Sequence, residues 1–365
     1  MSLDLFEPFP LGDLCLDNRM IMAPLTRNRA DRNGLATPMM ATYYRQRASA
    51  GLIIAEAAPV APEGVGAFFT PGIYSNTQAE SWRRITNAVH SAGGHIFIQL
   101  QHSGRISHPS LLPDNMTPVA PSAIPAEGQA LTYAGARNFL TPRALEVGEI
   151  ARITSQFEHS AKMAKSAGFD GVEILAANGF LIDQFLRDAT NHRTDAYGGT
   201  AKKRMRLLNE VLDAVCGHWP EQRVGVRLSP ENRLNSMSDS RPQEHFAYFV
   251  QQLKPRGLAY LHLLEGDMIS NKRTLDYSIF RADFAGTYMA NNGYNLQRAQ
   301  AAIRNQAADL IAFGIPFIAN PDLVRRYQEN LPLNEADPSS FFGGEEKGYT
   351  DYPFCTAENN TKQTI

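Results

Sequence analysis

Residues 171–185 read GVEILAANGFLIDQF. An apolar run followed by Asn-Gly and then by a helix-period segment reads as a buried strand entering a loop and a helix. In a parallel α/β protein the end of such a strand is where reactive side chains gather. Here the expected strand 171–174 is followed by Leu175, Ala176 and Ala177, and only Asn178 is polar; Phe180 comes two residues later. The matching strand ends elsewhere offer Pro24, Leu25 and Thr26; Ala57 and Ala58; Gln99, Gln101 and His102; Arg227; Asn291, Asn292 and Gly293; and Gly314 with Ile315. By residue type these are hydroxyl and amide hydrogen bonders, one guanidinium and a backbone-rich loop pair that can cradle an anion. Each polar group also has a structural use. Arg227 can be a buried ion pair, Thr26 and Gln99 satisfied loop or strand groups, and His102 and His108 loop anchors.

The elements that must position these residues follow from hydrophobic periodicity. Short apolar, β-branched runs fall at 20–25, 52–57, 95–100, 171–174, 224–228, 259–263, 287–290 and 310–313. Helix-period segments lie near 79–92, 150–167, 202–217, 242–254 and 296–306. Eight strands alternating with helices predict an α/β fold of the (β/α)8 TIM-barrel type in one domain, 1–365. A doubly wound sheet is the alternative, but no GxGxxG follows an early strand. Residues 103–145, rich in Pro, Ser and Ala, read as a capping insertion; 229–242, SPENRLNSMSDSRP, as an exposed polar loop; and 353–365 as a mobile tail.

Bulk properties exclude several classes. With 365 residues, 43% of them hydrophobic, the chain can bury a large core. A net charge of -2 argues against nucleic acid and anionic membrane surfaces. No apolar run approaches the roughly 20 residues needed to span a bilayer. The start MSLDLFEPFPLGD has no signal-peptide pattern, so a cytoplasmic location is expected. Cys15, Cys216 and Cys355 are odd in number and widely spaced, so neither a disulfide framework nor a metal site is indicated. The oligomeric state is open, and a small molecule is the expected partner.

Several segments in order, spanning nearly the whole chain, carry a resemblance: NRMIMAPLTRNRA (18–30), YYRQRASAGLIIAEA (43–57), IQLQHSGRISH (98–108), NGFLIDQFL (178–186), NHRTDAYGG (191–199), VGVRLSP (224–230), AFGIPFIANPDLV (312–324) and GYTDYP (348–353). Together they resemble the Old Yellow Enzyme family of FMN-dependent ene-reductases, which are TIM barrels with flavin at the strand C-termini. The resemblance implies that Pro24, Leu25 and Thr26 carry the flavin ring, the Thr26 hydroxyl donating to O4 and tuning its potential. It implies further flavin contacts from Ala57, from Gln99 at the pyrimidine edge and from Arg227 beside N1 and O2, where negative charge gathers on reduction. Asn292, Gly314 and Ile315 would face the phosphate. NADPH or NADH would be the reductant. The substrate pocket would take in Leu175, Asn178, Phe180, Gln101, Phe68 and Tyr349, with Asn178 and Thr26 as the catalytic pair.

Four positions depart from the family pattern. Leu175 stands where a histidine usually joins Asn178 in donating to the activating carbonyl or nitro oxygen. One missing donor is worth a few kcal/mol, about 10²–10³ in rate. Phe180 replaces the tyrosine that protonates the α-carbon, and water or another acid must then serve. Ile315 replaces the arginine that grips the FMN phosphate, which predicts weaker binding. Gln101 stands where a tryptophan is common. The expectation is a flavoprotein acting on an activated alkene of a fairly apolar substrate, by reduction or redox-neutral isomerisation. The alternatives are a flavin-poor or flavin-free relative performing cofactor-independent chemistry such as cyclisation, or a non-catalytic binding protein.

Overall fold

In a computed structural model that describes residues 3–356, eight parallel strands close into a barrel. They are β1 (Met20–Met22), β2 (Leu52–Pro59), β3 (Ile96–Gln101), β4 (Gly171–Ala176), β5 (Val224–Leu228), β6 (Tyr260–Leu264), β7 (Tyr288–Asn291) and β8 (Leu310–Phe313). Each pairs with its sequence neighbour, and β8 pairs with β1. The predicted strands at 224–228 and 310–313 match to the residue, and the others agree to within a few residues at their ends. One difference matters: β4 runs two residues further than the periodicity indicates, so Leu175 lies inside the strand, paired with Arg227.

The helices on the outside are α1 (Pro38–Gln46), α2 (Asn76–His90), α3 (Val147–Ser166), α4 (Arg206–Cys216), α5 (Pro242–Leu253), α6 (Tyr277–Phe284), α7 (Leu296–Arg304) and α8 (Leu323–Gln328). The sequence shows five of them plainly. The three missed (α1, α6 and α8) run 9, 8 and 6 residues, no longer than the shortest helix recognised, so each shows at most about two and a half turns of a 3.6-residue period. Apolar residues of strands and helices form one continuous layer between them, including Ile53, Ile98, Val172, Val226 and Leu263.

Inside the barrel, alternate strand residues stack in layers. The lower layer is apolar: Ile21, Ile54, Phe97, Tyr260, Met289 and Leu310, closed below by the hairpin Phe9–Leu11 with Leu14–Leu16. Gly225 makes room there, since a Cβ would stand 2.3 Å from the Tyr260 ring. The next layer up is polar: Gln99, Glu173, Arg227 and His262, all buried.

Within the segment read as an exposed loop, Arg233, Ser236, Ser238, Ser240 and Arg241 are exposed, but other residues are anchored, and so is the described start of the tail. Within 229–242, Ser229 and Asn232 are fully buried and Asp239 hides its carboxylate between Arg204 and His245. Ser229, Asn232 and the Asp239 carboxylate turn inward because Arg187, Asn178, Arg204 and His245 supply partners there. Of the tail, 353–355 is held by Arg326 Nη2 donating to the Pro353 carbonyl (2.7 Å) and Cys355 N donating to Asp322 (2.7 Å). The rest of that tail, from 357, lies outside the described residues. No described helix is long and apolar enough to cross a membrane.

Candidate active site

Two adjoining cavities open at the C-terminal end of the barrel. The first, of about 290 Å³, lies among the ends of β1, β5, β6, β7 and β8 and is lined by Pro24, Leu25, Asn178, Arg227, Asn291, Asn292, Gly293, Gly314 and Ile315. The second, of about 250 Å³, lies over β1 to β4 and is lined by Thr26, Ala57, Gln101 and Phe180 together with loop residues. The expected positions from β1, β4, β5, β7 and β8 thus converge from segments far apart in the chain.

The floor of the first cavity is charged. Arg227 points up from β5, and its Nη2 donates to Asn291 Oδ1 (2.8 Å), while Asn291 in turn donates to the Ala312 carbonyl (2.8 Å). Below it, Glu173 accepts from Gln99 Nε2 (2.6 Å) and faces His262 Nδ1 at 2.8 Å. Burial acts to raise the Glu173 carboxyl, but His262, Arg227 and Gln99 outweigh it and hold the group below the usual carboxylate range. Burial pushes the His262 imidazole down against the pull of Glu173. The arrangement is therefore a buried carboxylate held between Gln99 and His262 beneath the cationic Arg227. Arg227 Nε is buried and has no partner among the described residues, and an unpaired buried guanidinium N–H is costly unless an acceptor meets it. Gln99 sits lower than expected. One of its two side-chain N–H groups goes to Glu173, and it is not among the residues lining either cavity.

The β7–β8 end of this cavity is a backbone cradle. Asn292 and Gly293 both take left-handed φ (87° and 68°). Asn292 is pinned by its own Nδ2 on the Glu265 carbonyl (2.8 Å) and by Arg273 Nη2 on its carbonyl (2.7 Å). Glu265 is buried and is itself held by Arg273, Tyr288 and Tyr294. The N-cap of α7, Asn295, accepts from Arg298 N (2.9 Å) and orients that helix beside the cradle. Opposite, Ile315 is 57% exposed and apolar.

At the mouth, Leu175 forms a small apolar cluster with Ala57, Ala177 and Phe180. It is 2% exposed, so Phe180 and Ala57, rather than Leu175, meet the cavity. Asn178 takes φ 57°, with its N–H on Ser229 Oγ (2.8 Å) and its carbonyl receiving Asn235 Nδ2 (2.8 Å). Its side-chain Oδ1 accepts from Asn232 Nδ2 (2.8 Å), leaving Nδ2 as the free end. Thr26 makes no hydrogen bond to protein through its hydroxyl among the described residues. Gln101 Oε1 accepts from Ser103 (3.2 Å), which leaves its amide N–H groups free. His102 is buried, accepts from Gly104 N (3.1 Å) and is driven down to about 4 by burial, so it is a neutral loop anchor. His108 bonds to Ser110 (2.8 Å) in the same role.

Besides Leu175, two expected pocket residues line neither cavity. Tyr349 is fully buried, stacked on Tyr43 at 4.0 Å between ring centroids. Phe68 packs edge-on against Phe69 at 5.3 Å and lines neither cavity. In their place stands Phe342. It arrives because Arg27 Nε donates to the Phe341 carbonyl (2.9 Å) and Arg27 Nη2 to that of Gly348 (2.8 Å), strapping the C-terminal segment over the β1 loop. Gln129, Ala130, Leu131 and Phe139 also reach the second cavity, from the strand pair Gln129–Thr132 and Gly135–Asn138 and the residue after it within 103–145. No local signal marks these residues. Their only hint is the proline-rich, irregular character of the insertion.

A parallel barrel with a buried cation at the end of β5, an anion cradle at β7–β8 and an amide donor after β4 has the layout of a flavin-binding oxidoreductase. Comparison with known proteins agrees. Residues 4–334 match the NADH:flavin oxidoreductase / NADH oxidase family, and the chain belongs to that family, the one of Old Yellow Enzyme. A probable flavin mononucleotide-dependent alkene reductase of Leishmania infantum is 41% identical, covering 96% of this chain and 97% of that protein. Morphinone reductase superposes with a TM-score of 0.95 at 44% identity, covering 98% of each chain. The old yellow enzyme homologue from Zymomonas mobilis gives 0.93 at 44% identity, covering 96% of this chain and 99% of the other. The protein is an FMN-dependent oxidoreductase that uses NAD(P)H. The residues present fit FMN: the unpartnered Arg227 Nε awaits an electron-rich edge, and the left-handed Asn292–Gly293 turn forms the cradle.

Proposed function

We propose that this protein reduces a carbon–carbon double bond conjugated to a carbonyl, in a mostly apolar substrate, with Asn178 as the polarising donor and solvent as the proton source. The reading rests on one observation: the β4 loop offers a single side-chain donor, the Asn178 amide, which lines the first cavity, while its neighbour Phe180 walls the second. FMN, when bound, carries a hydride from NAD(P)H to the β-carbon of the alkene. Asn178 Nδ2 would donate to the carbonyl oxygen as charge builds there. Thr26 and Arg227 would hold the flavin, Arg227 placing fixed positive charge where the reduced ring gathers negative charge. The apolar wall of Ala57, Phe180, Ile106, Leu131 and Phe342 excludes water from the face of the substrate. Phe180 has no proton to give, so the α-carbon takes its proton from water entering beside Gln101 and Ser103. Similarity to an alkene reductase of Leishmania infantum supports the reaction class.

The test is anaerobic. NADPH should bleach the flavin band, 2-cyclohexen-1-one should restore it, and in D₂O the saturated ketone should carry deuterium at the α-carbon. A double-bond isomer formed without net NADPH oxidation would replace reduction by redox-neutral isomerisation. Failure of the enone to restore the band would remove the proposal.

A further inference from the structure

We propose that Asn232 is a positioning residue that fixes which end of the Asn178 amide faces substrate. The proposal rests on the reading of Asn178 as the polarising donor. A terminal amide has an oxygen end and a nitrogen end of nearly the same shape, and only its hydrogen-bond partners decide which points where. Here they decide without ambiguity. Asn232 is fully buried on the loop after β5. One end of its side chain receives the backbone N–H groups of Met268 (3.2 Å) and Leu234 (3.4 Å). Backbone N–H can only donate, so that end is oxygen. The other end of Asn232 is therefore Nδ2, which donates to Asn178 at 2.8 Å. The Asn178 atom that accepts is Oδ1, and what remains toward the cavity is Nδ2, a donor.

The relay is Met268 N–H to Asn232 to Asn178, and it connects the loops after β6, β5 and β4. Its bonds polarise one another in the same sense, strengthening the terminal donor. The same loop also holds the Asn178 backbone through Ser229 and Asn235. The orientation matters more in this chain than where two donors share the work. Leu175 donates nothing, so a reversed Asn178 would present an oxygen to the substrate carbonyl and leave no donor from the β4 loop.

The test uses the FMN-loaded protein at about pH 8 and compares Asn232→Asp with Asn232→Ala. The introduced aspartate is isosteric, and the N–H groups of Met268, Leu234 and Asn178 favour its charged form. It accepts where Asn232 donates, so it reverses Asn178. The alanine substitution merely releases Asn178, which can still offer its donor. Affinity for 2-cyclohexen-1-one, read from the flavin spectrum, and the rate at which that enone reoxidises the reduced protein are measured in both. Asn232→Asp should lose at least ~10² in the rate, and Asn232→Ala no more than ~10-fold, with thermal midpoints confirming that both are folded. In an Asn178→Ala background the two substitutions should become equivalent, as a double-mutant cycle requires of an effect transmitted through Asn178. Equal losses in the two single variants would overturn the assignment. So would an undiminished penalty for Asn232→Asp in the Asn178→Ala background, which would mark direct charge repulsion. If Asn178→Ala alone reacts at the parent rate, the donor reading itself falls and takes the relay with it.

Discussion

Replacing Asn178 by Asp separates chemistry from stability at one atom. The Asp side chain has the same shape, and its Oδ1 would still accept from Asn232 as Asn178 does at 2.8 Å. Asp, like Asn, tolerates the left-handed backbone found here at φ 57°. Stability should therefore change by less than about 1 kcal/mol. Only the cavity-facing atom differs, and it changes from an N–H donor to a charged acceptor. Losing the donor costs about 2.7–4 kcal/mol of transition-state stabilisation, or 10²–10³ in rate, and the repelling charge adds to that. Asn178→Gly provides the contrast. It also suits the backbone, but it strands the buried Asn232 N–H at a cost of about 1–3 kcal/mol. Asn178→Ala adds roughly 1–2 kcal/mol of backbone strain to this. The stability order should be parent and Asp above Gly above Ala, whereas the reactivity order should place Asp last. Anaerobic stopped-flow mixing of the reduced protein with 2-cyclohexen-1-one gives the second order and urea unfolding the first. An Asn178→Asp protein that reoxidises within about fivefold of the parent would refute the assignment of Asn178 as the polarising donor.

Three further outcomes are expected. Ile315→Arg puts a guanidinium at the edge of the Asn292–Gly293 cradle and should tighten FMN about 10- to 100-fold while leaving riboflavin affinity unchanged, measured by quenching of flavin fluorescence; equal gains for both ligands would mean the arginine does not reach the phosphate. Phe180→Tyr should restore an internal acid at the cavity wall, speeding α-carbon protonation by up to ~10² and shrinking the solvent isotope effect on enone reduction, with flavin reduction by NADPH unaffected. Glu56, fully buried at the β2 bulge, is raised to about 7 by burial, against the opposing pull of Arg27 N–H, Tyr44 and the Arg27 and Arg29 charges. Because the folded chain then holds this proton more tightly than the unfolded one, its contribution is full below the ordinary carboxylate range and declines as pH rises to about 7. The decline should reach about 3 kcal/mol and flatten above that, and Glu56→Gln should remove the slope in urea titrations run across pH.

The correct and incorrect expectations divide along one physical line. Periods of two and of 3.6 residues are local, so the eight strands, the longer helices and therefore the barrel are legible without coordinates. Closure of a parallel barrel then dictates that strand ends meet, which is why Pro24, Arg227, Asn292 and Gly314 assemble as expected. What fails is anything set by distant hydrogen bonds. Tyr349 and Phe68 carry the right chemistry for a pocket wall, but Arg27 reaches 314 residues along the chain to the Phe341 carbonyl, and that strap buries Tyr349 and delivers Phe342 instead. Polarity gives only part of 229–242: Arg233, Ser236, Ser238, Ser240 and Arg241 are exposed as expected, whereas Ser229, Asn232 and the Asp239 carboxylate are buried because Arg187, Asn178 and His245 complete their hydrogen bonds.

The amino-acid sequence by itself determined the barrel and the family, and it puts apolar side chains at Leu175, Phe180 and Ile315, because those follow from residue identity and local period. The tertiary structure alone decided that Leu175 retreats into an apolar cluster, that the capping hairpin and Phe342 wall the second cavity, and that Asn178 offers nitrogen and not oxygen. Each of these depends on which backbone N–H or carbonyl a distant segment brings within about 3 Å, a distance no local pattern encodes.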